Sequence, residues 1–232
     1  MTDLSPSEWQ EALTGEMLLL ELLGRIFYCY PENEERTWLQ SLVDEDVFSE
    51  VPFAADENET KAGLELLQKW GKNGIADEVF GNVQADYTRL FIGPDKVLAP
   101  PWESVHFGDD RLIFQQRTLE VRAWYQRFGL EAERIYQEPD DHIGLELLFL
   151  SHLATLGIQA LNEQDNARFE VLLNAQREFF KKHIEIWASI WCNLVKKHAQ
   201  TDFYKGLAHL TLAAISALAE MLDVKSPEEA IR

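Results

Sequence analysis

The stretch QEPDDHIG, residues 137–144, crowds three carboxylates, Glu138, Asp140 and Asp141, around a proline and a histidine, His142. These side-chain types serve general acid–base catalysis, metal ligation and the gripping of guanidinium groups. Acid–base work needs two groups converging on one atom, and neighbours at a helix start point in different directions. His142 and Glu146 stand i, i+4 on one helical face, a spacing that metal sites use, but HExxH is absent and so is the ExxH pair of di-iron bundles. The Asp-His order also reverses the His-Asp doublet of helical metal-dependent phosphohydrolases. A metal-dependent hydrolase using His142 and the nearby carboxylates is the catalytic alternative. The plain alternative is a helix start: Asp140 or Asp141 caps the helix that follows, both acids favour its positive end by ~0.3–1 kcal/mol, and His142 is a first-turn residue. That reading accounts for one acid and does not need Glu138, Pro139 and His142 together.

Other chemistry is thinly represented. His106, His152, His183, His198 and His209 form no further ligand spacing, so no metal site is expected. GPDK at 93–96 is not the phosphate loop GxxxxGK[ST], and no GxSxG elbow occurs. FFKKH (179–183) and VKKHA (195–199) are short basic clusters of the kind that form solvated helix faces. Cys29 and Cys192 make neither a CxxC pair nor a zinc spacing and read as buried free thiols of a reducing compartment.

The elements that must position these residues are helices. Ser5-Pro6-Ser7-Glu8 is a capping box with proline at the first helical position. Trp9, Leu13, Met17, Leu20 and Leu23 then step by three or four until Pro31 stops the helix. Further helices are expected over about 33–43, 58–72 (capped by Gly74), 75–92, 110–128 (closed by Gly129), 140–156 (ended by Gly157), 163–199 as one bent or two consecutive helices, and from Asp202 to about 222. SPEE at 226–229 repeats the capping pattern. Residues 49–60 read as an acidic loop, and 93–109, which holds three of the eight prolines, as a long ordered one. Sustained period-2 alternation, hairpin signals and internal repeats are absent. The expected fold is all-α, helices packed ridge into groove in one domain.

Composition bounds the partners. The 232 residues are 46% hydrophobic, with 7 Trp and 13 Phe, enough for a real core. Forty acidic against 21 basic residues give a net charge of −19, which repels nucleic acid and anionic membranes and attracts basic partners. The apolar runs at 17–30, 147–161 and 207–222 carry charges or histidines, so no membrane span is expected, and the acidic start does not resemble a secretory signal; the expectation is a cytoplasmic protein.

Three segments taken together narrow the function. YTRLFIGP (87–94), APPWESV (99–105) and EPDDH (138–142) resemble, in order and spacing, the TorD, DmsD and NarJ family of chaperones that mature molybdenum-containing reductases, and PPWESV resembles the DmsD-like branch. The resemblance implies a non-catalytic, cytoplasmic chaperone of anaerobic respiration. Such a chaperone binds the twin-arginine signal peptide of a reductase precursor and delays export until the molybdenum cofactor is inserted. It implies a peptide site lined by Tyr87, Leu90, Phe91, Pro101, Trp102, Asp141 and His142, with Glu138 and Pro139 completing the motif. It implies an N-terminal lobe (about 1–136) and a C-terminal lobe (about 143–232) joined by a hinge at about 137–142, as monomer or lobe-swapped dimer. Weak GTP binding is a trait of some relatives, though no nucleotide loop is present here. Tyr87 stands where some relatives carry tryptophan, and the chain is longer than many of them.

The side-chain chemistry agrees. A twin-arginine leader offers two guanidinium groups and an apolar stretch. Glu138, Asp141 and Glu103 can accept from guanidinium, and Trp102, Phe91, Leu90 and Tyr87 can cover apolar surface. Exposed ion pairs contribute only ~0.2–1 kcal/mol, whereas burying a Leu or Phe side chain contributes ~1.5–3 kcal/mol. An apolar groove should therefore set affinity, and the acids register and specificity.

Overall fold

Ser5 accepts the backbone N–H of Glu8 while the Glu8 carboxylate takes the N–H of Ser5, so the reciprocal cap opens α1, Pro6–Tyr28. The Ser5 hydroxyl, which donates to the Glu8 carboxylate at 2.6 Å, and then the Ser5 N–H hold the Glu8 carboxyl below its usual pKa. The structure, a computed structural model, describes residues 4–72, 74–93, 96–107, 113, 115–132 and 138–224. Nine further helices follow α1 among them: α2 Asn33–Asp44, α3 Glu57–Gly71, α4 Asp77–Tyr87, α5 Glu103–His106, α6 Gln116–Arg127, α7 Ile143–Asn162, α8 Asn166–Phe179, α9 Ala188–His198 and α10 Asp202–Met221. The fold is all-α. The sole β contact among the described residues is one isolated antiparallel bridge between Trp102 and His142.

Two helix pairs organise the core, and glycines set both crossings. α1 lies against α7, where a Cβ on Gly24 would come within 2.8 Å of the Gly144 carbonyl and one on Gly144 within 2.7 Å of the Gly24 carbonyl. α3 lies against α10, where a Cβ on Gly63 would meet the Leu210 side chain at 2.7 Å and one on Gly206 would meet Leu67 at 2.7 Å. In the first pair the obstacle is the facing backbone itself, and in the second each Cβ would also stand 3.0 Å from the other glycine's carbonyl, approaches that favour glycine. In both pairs a helix from before residues 137–142 packs directly on one from after them. α8 covers another side of α7, and α9 packs on α10. Of the described helices, α7 alone is long and apolar enough to cross a membrane, yet Leu147, Leu150 and Leu153 are fully buried inside the protein.

Several boundaries depart from the sequence reading. Gly157 does not end α7, which runs on to Asn162; a Cβ there would stand 3.1 Å from Leu13, so this glycine admits α1. The helix expected over 75–92 changes pitch at Thr88–Ile92 to a π turn that closes with Gly93 N–H on the Thr88 carbonyl, and Gly93 leaves it at φ +64°. The expected 163–199 helix is α8, a second π turn at Phe180–Ile184, and α9. Leu119, within the helix expected over 110–128, is exposed. Gly74 and Gly129 stop α3 and α6 at positive φ, as expected. Pro94, the start of the 110–128 helix and the 226–229 cap lie outside the described residues.

Candidate functional site

The three motif segments meet. Trp102 bridges His142, Glu103 N–H donates to the Asp141 carbonyl at 2.8 Å, and Ile143 N–H donates to the Pro101 carbonyl at 2.7 Å. Ala99 N–H, just before, donates to the Leu90 carbonyl on the π turn at 2.9 Å. Proline-rich strand-like backbone is thus stitched to the start of α7 on one side and to the end of α4 on the other.

Within this junction most motif residues are interior. Tyr87, Leu90 and Phe91 are core: the Tyr87 hydroxyl donates to the Phe27 carbonyl at 3.0 Å, and Phe91 stacks on Trp191 and meets Tyr87 edge-on. Pro101 is buried. Asp141, fully buried, accepts Ser104 N–H at 2.7 Å and the Thr118 hydroxyl at 2.7 Å, so its carboxylate caps α5 and ties α6 to it. His142, also buried, accepts Gly144 N–H on Nδ1 at 3.0 Å and is the N-cap of α7. Burial pushes its pKa down to about 3, so the ring is neutral at physiological pH. Asp140 pairs with Arg122 at 2.6 Å. The residues expected to line a peptide site therefore divide. Trp102 and Glu138, joined by an indole N–H to carboxylate bond, are partly exposed, whereas Tyr87, Leu90, Phe91, Pro101, Asp141 and His142 are framework that holds that pair in place.

Beneath them sits a second constellation that the sequence did not assemble. Glu103 of α5, Glu146 of α7 and His183 of the second π turn each offer a ligand-type atom within 4.8 Å of the others, all three fully buried. His183 was read as lacking a partner spacing; its partners come from elements 80 and 37 positions away, which spacing along one helix cannot reveal. His183 Nδ1 lies 2.9 Å from Glu103, whose other oxygen takes Arg117. Neither Glu146 oxygen has a hydrogen-bond partner at normal distance, the Trp187 indole being turned to the His183 carbonyl. Burial, then the nearby Glu103 and Asp141 charges, raise the Glu146 pKa well above the usual carboxylate range. Two carboxylates and an imidazole can hold a cation. Here Arg117 already pairs with Glu103, and burial favours the neutral form of Glu146. The hydrolase alternative loses its proposed centre, since His142 spends its Nδ1 on a helix cap and lies outside this triad.

A third feature is open. α1, α2, the Val47–Pro52 segment, α3 and Leu210 of α10 enclose an apolar groove of about 360 Å³. Leu18, Leu22, Trp38, Leu42, Val47 and Leu64 line it, and Glu21 and Glu50 stand at its edge.

Residues 54–193, more than half the chain, match the family described as nitrate reductase delta subunit. The chain belongs to this family. Among its relatives, the Tat proofreading chaperone DmsD of Salmonella paratyphi A is 30% identical over 196 residues, 83% of this chain and 84% of the relative. The probable Tat proofreading chaperone DmsD of Haemophilus influenzae is 26% identical over 207 residues, 89% of this chain and 91% of the relative. The chaperone protein TorD of Vibrio cholerae serotype O1 is 29% identical over 196 residues, 84% of this chain and 81% of the relative. The groove of this delta-subunit-family chain went unread in the sequence because five separate segments build it. The signal available was Leu18, an exposed leucine adjoining the buried stripe of α1.

Proposed function

We propose that this chain is a cytoplasmic chaperone that binds the twin-arginine leader of a molybdenum-containing reductase precursor and delays its export until the cofactor is in place. It acts by binding, without catalysis. The convergence of the three motif segments on one point carries the reading: Trp102 and Glu138 are presented side by side at the surface while the rest of the motif fixes them from below. An indole face and a carboxylate together suit a guanidinium, which stacks on the one and donates to the other. The names of the relatives support the same class. We read the chain as a monomer or a lobe-swapped dimer; a swap would re-form the α1–α7 and α3–α10 pairs between copies.

Titration calorimetry with a synthetic twin-arginine leader tests the reading. Binding is expected in the micromolar range or tighter. Glu138→Gln, which keeps an acceptor for the indole but removes the charge, should weaken it about threefold to tenfold (~0.6–1.4 kcal/mol). Trp102→Ala should weaken it more, and neither should change helix content. Absence of heat with the parent protein at tens of micromolar would refute the assignment.

A further inference from the structure

The groove between α1, α2 and α3 brings two of the exposed large apolar side chains of the described residues to one place. Leu18 on α1 is 51% exposed and Val47 on the connecting turn 37% exposed, and both line it. A contiguous apolar groove open to water is the kind of surface that binding sites use. The lining is apolar on the floor and acidic at the edge. Of its three charged side chains, Glu21 and Glu50 are exposed acids. The third, Arg25, is already engaged: its guanidinium lies 4.0 Å from the Trp38 ring centroid and 3.8 Å from Glu35. The adjoining turn adds Asp44, Glu45 and Asp46, all exposed. An occupant must therefore be apolar in its body and cationic at an end. A second copy of this chain, at −19, meets the acidic edge with like charge.

We propose that this groove holds the apolar segment of a client leader, its leucine- or phenylalanine-type side chains seated among Leu18, Leu22, Trp38 and Val47, with a flanking cation directed to Glu21 and Glu50. The proposal rests on the leader-binding reading above and gives that reading a second contact surface, distinct from Trp102 and Glu138. Apolar burial then supplies the affinity that surface ion pairs cannot.

The test uses the full-length protein and three synthetic peptides: an intact leader, one with its apolar stretch replaced by serine and glycine, and one with its arginine pair replaced by glutamine. A photoreactive phenylalanine analogue in the apolar stretch of the intact leader should cross-link to peptides containing residues 18–25 or 38–52, read by mass spectrometry. Leu18→Glu and Val47→Glu change exposed side chains and should keep parental helix content and melting. Together they should weaken the intact leader at least tenfold. The serine–glycine leader, already weak, should bind the parent and the double variant alike. If the double variant binds the intact leader as the parent does while Trp102→Ala loses it, the groove proposal is overturned and the function stands. If the parent binds no leader, the function itself fails. If sedimentation shows a parental dimer that the double variant dissolves, the occupant is a second copy and the proposal is likewise overturned.

Discussion

His142 has a structural occupation: its Nδ1 lone pair completes the first turn of α7, and Tyr28 packs against its ring. Its proton affinity is spent accordingly. A folded pKa of about 3 lies below the ordinary 6.5, so the stabilisation is complete above pH 6.5 and is lost as pH falls toward 3, because the unfolded chain takes up a proton that the fold refuses. His142→Asn keeps an acceptor for Gly144 N–H without the titration. Urea melts should place the variant within ~1 kcal/mol of the parent at pH 7.5 and show it losing on the order of 2 kcal/mol less between pH 6.5 and 4.5. Glu16 and Glu146 act in the opposite sense. Burial raises both pKa values, so their stabilising neutral forms are complete below the ordinary Glu value and lost as pH rises. The sequence announced that residues 138–142 matter, but it did not distinguish a carboxylate that faces a ligand from one that faces backbone N–H groups. Asp141 does the second, with α5 and α6 as its customers, and neither helix could be located against it before the chain was folded.

At the scale of elements, caps and periodicity carried most of the information. Ser5 and Glu8 open α1 as read, and Gly74 and Gly129 close α3 and α6; the Asp56 and Thr201 caps of α3 and α10 went unread. Changes of pitch and close crossings were not legible. No residue type marks a π turn as proline marks a break, so Thr88–Ile92 and Phe180–Ile184 read as ordinary helix. Gly24, Gly63, Gly144 and Gly206 are mid-helix or first-turn glycines whose purpose lies on the neighbouring helix. Gly24→Ala sets a methyl 2.8 Å from the Gly144 carbonyl, an atom of rigid backbone. The α1–α7 pair must then spread, at about 1–3 kcal/mol. Thermal denaturation should show Tm lower by roughly 3–10 °C. A parental Tm would mean that the crossing is looser than described.

For the molecule as a whole, the acidic balance of −19 sets how partners arrive. Long-range attraction should hasten encounter with a cationic leader and do little to hold it afterwards. Stopped-flow mixing should show the association rate falling about tenfold between ~0.02 and ~0.5 M salt, with the dissociation rate nearly constant. A salt-independent association rate would assign capture to apolar contact from the outset. The all-helical class was legible at this scale because hydrophobic period and helix caps repeat along the whole chain. The groove was not, because Leu18 and Leu210 join one surface from opposite ends of it.

The pairing of α1 with α7 and of α3 with α10 also fixes a timetable. α1 is finished at Tyr28, and its glycine-matched partner begins only at Ile143. At ~5–20 residues per second of synthesis, the first helix waits roughly 6–25 s with Leu20, Leu23 and Phe27 uncovered. α3, finished at Gly71, waits longer, until α10 begins at Asp202. For that interval the nascent chain presents greasy helix faces to water, and it needs shelter while the helices that cover them are still being made.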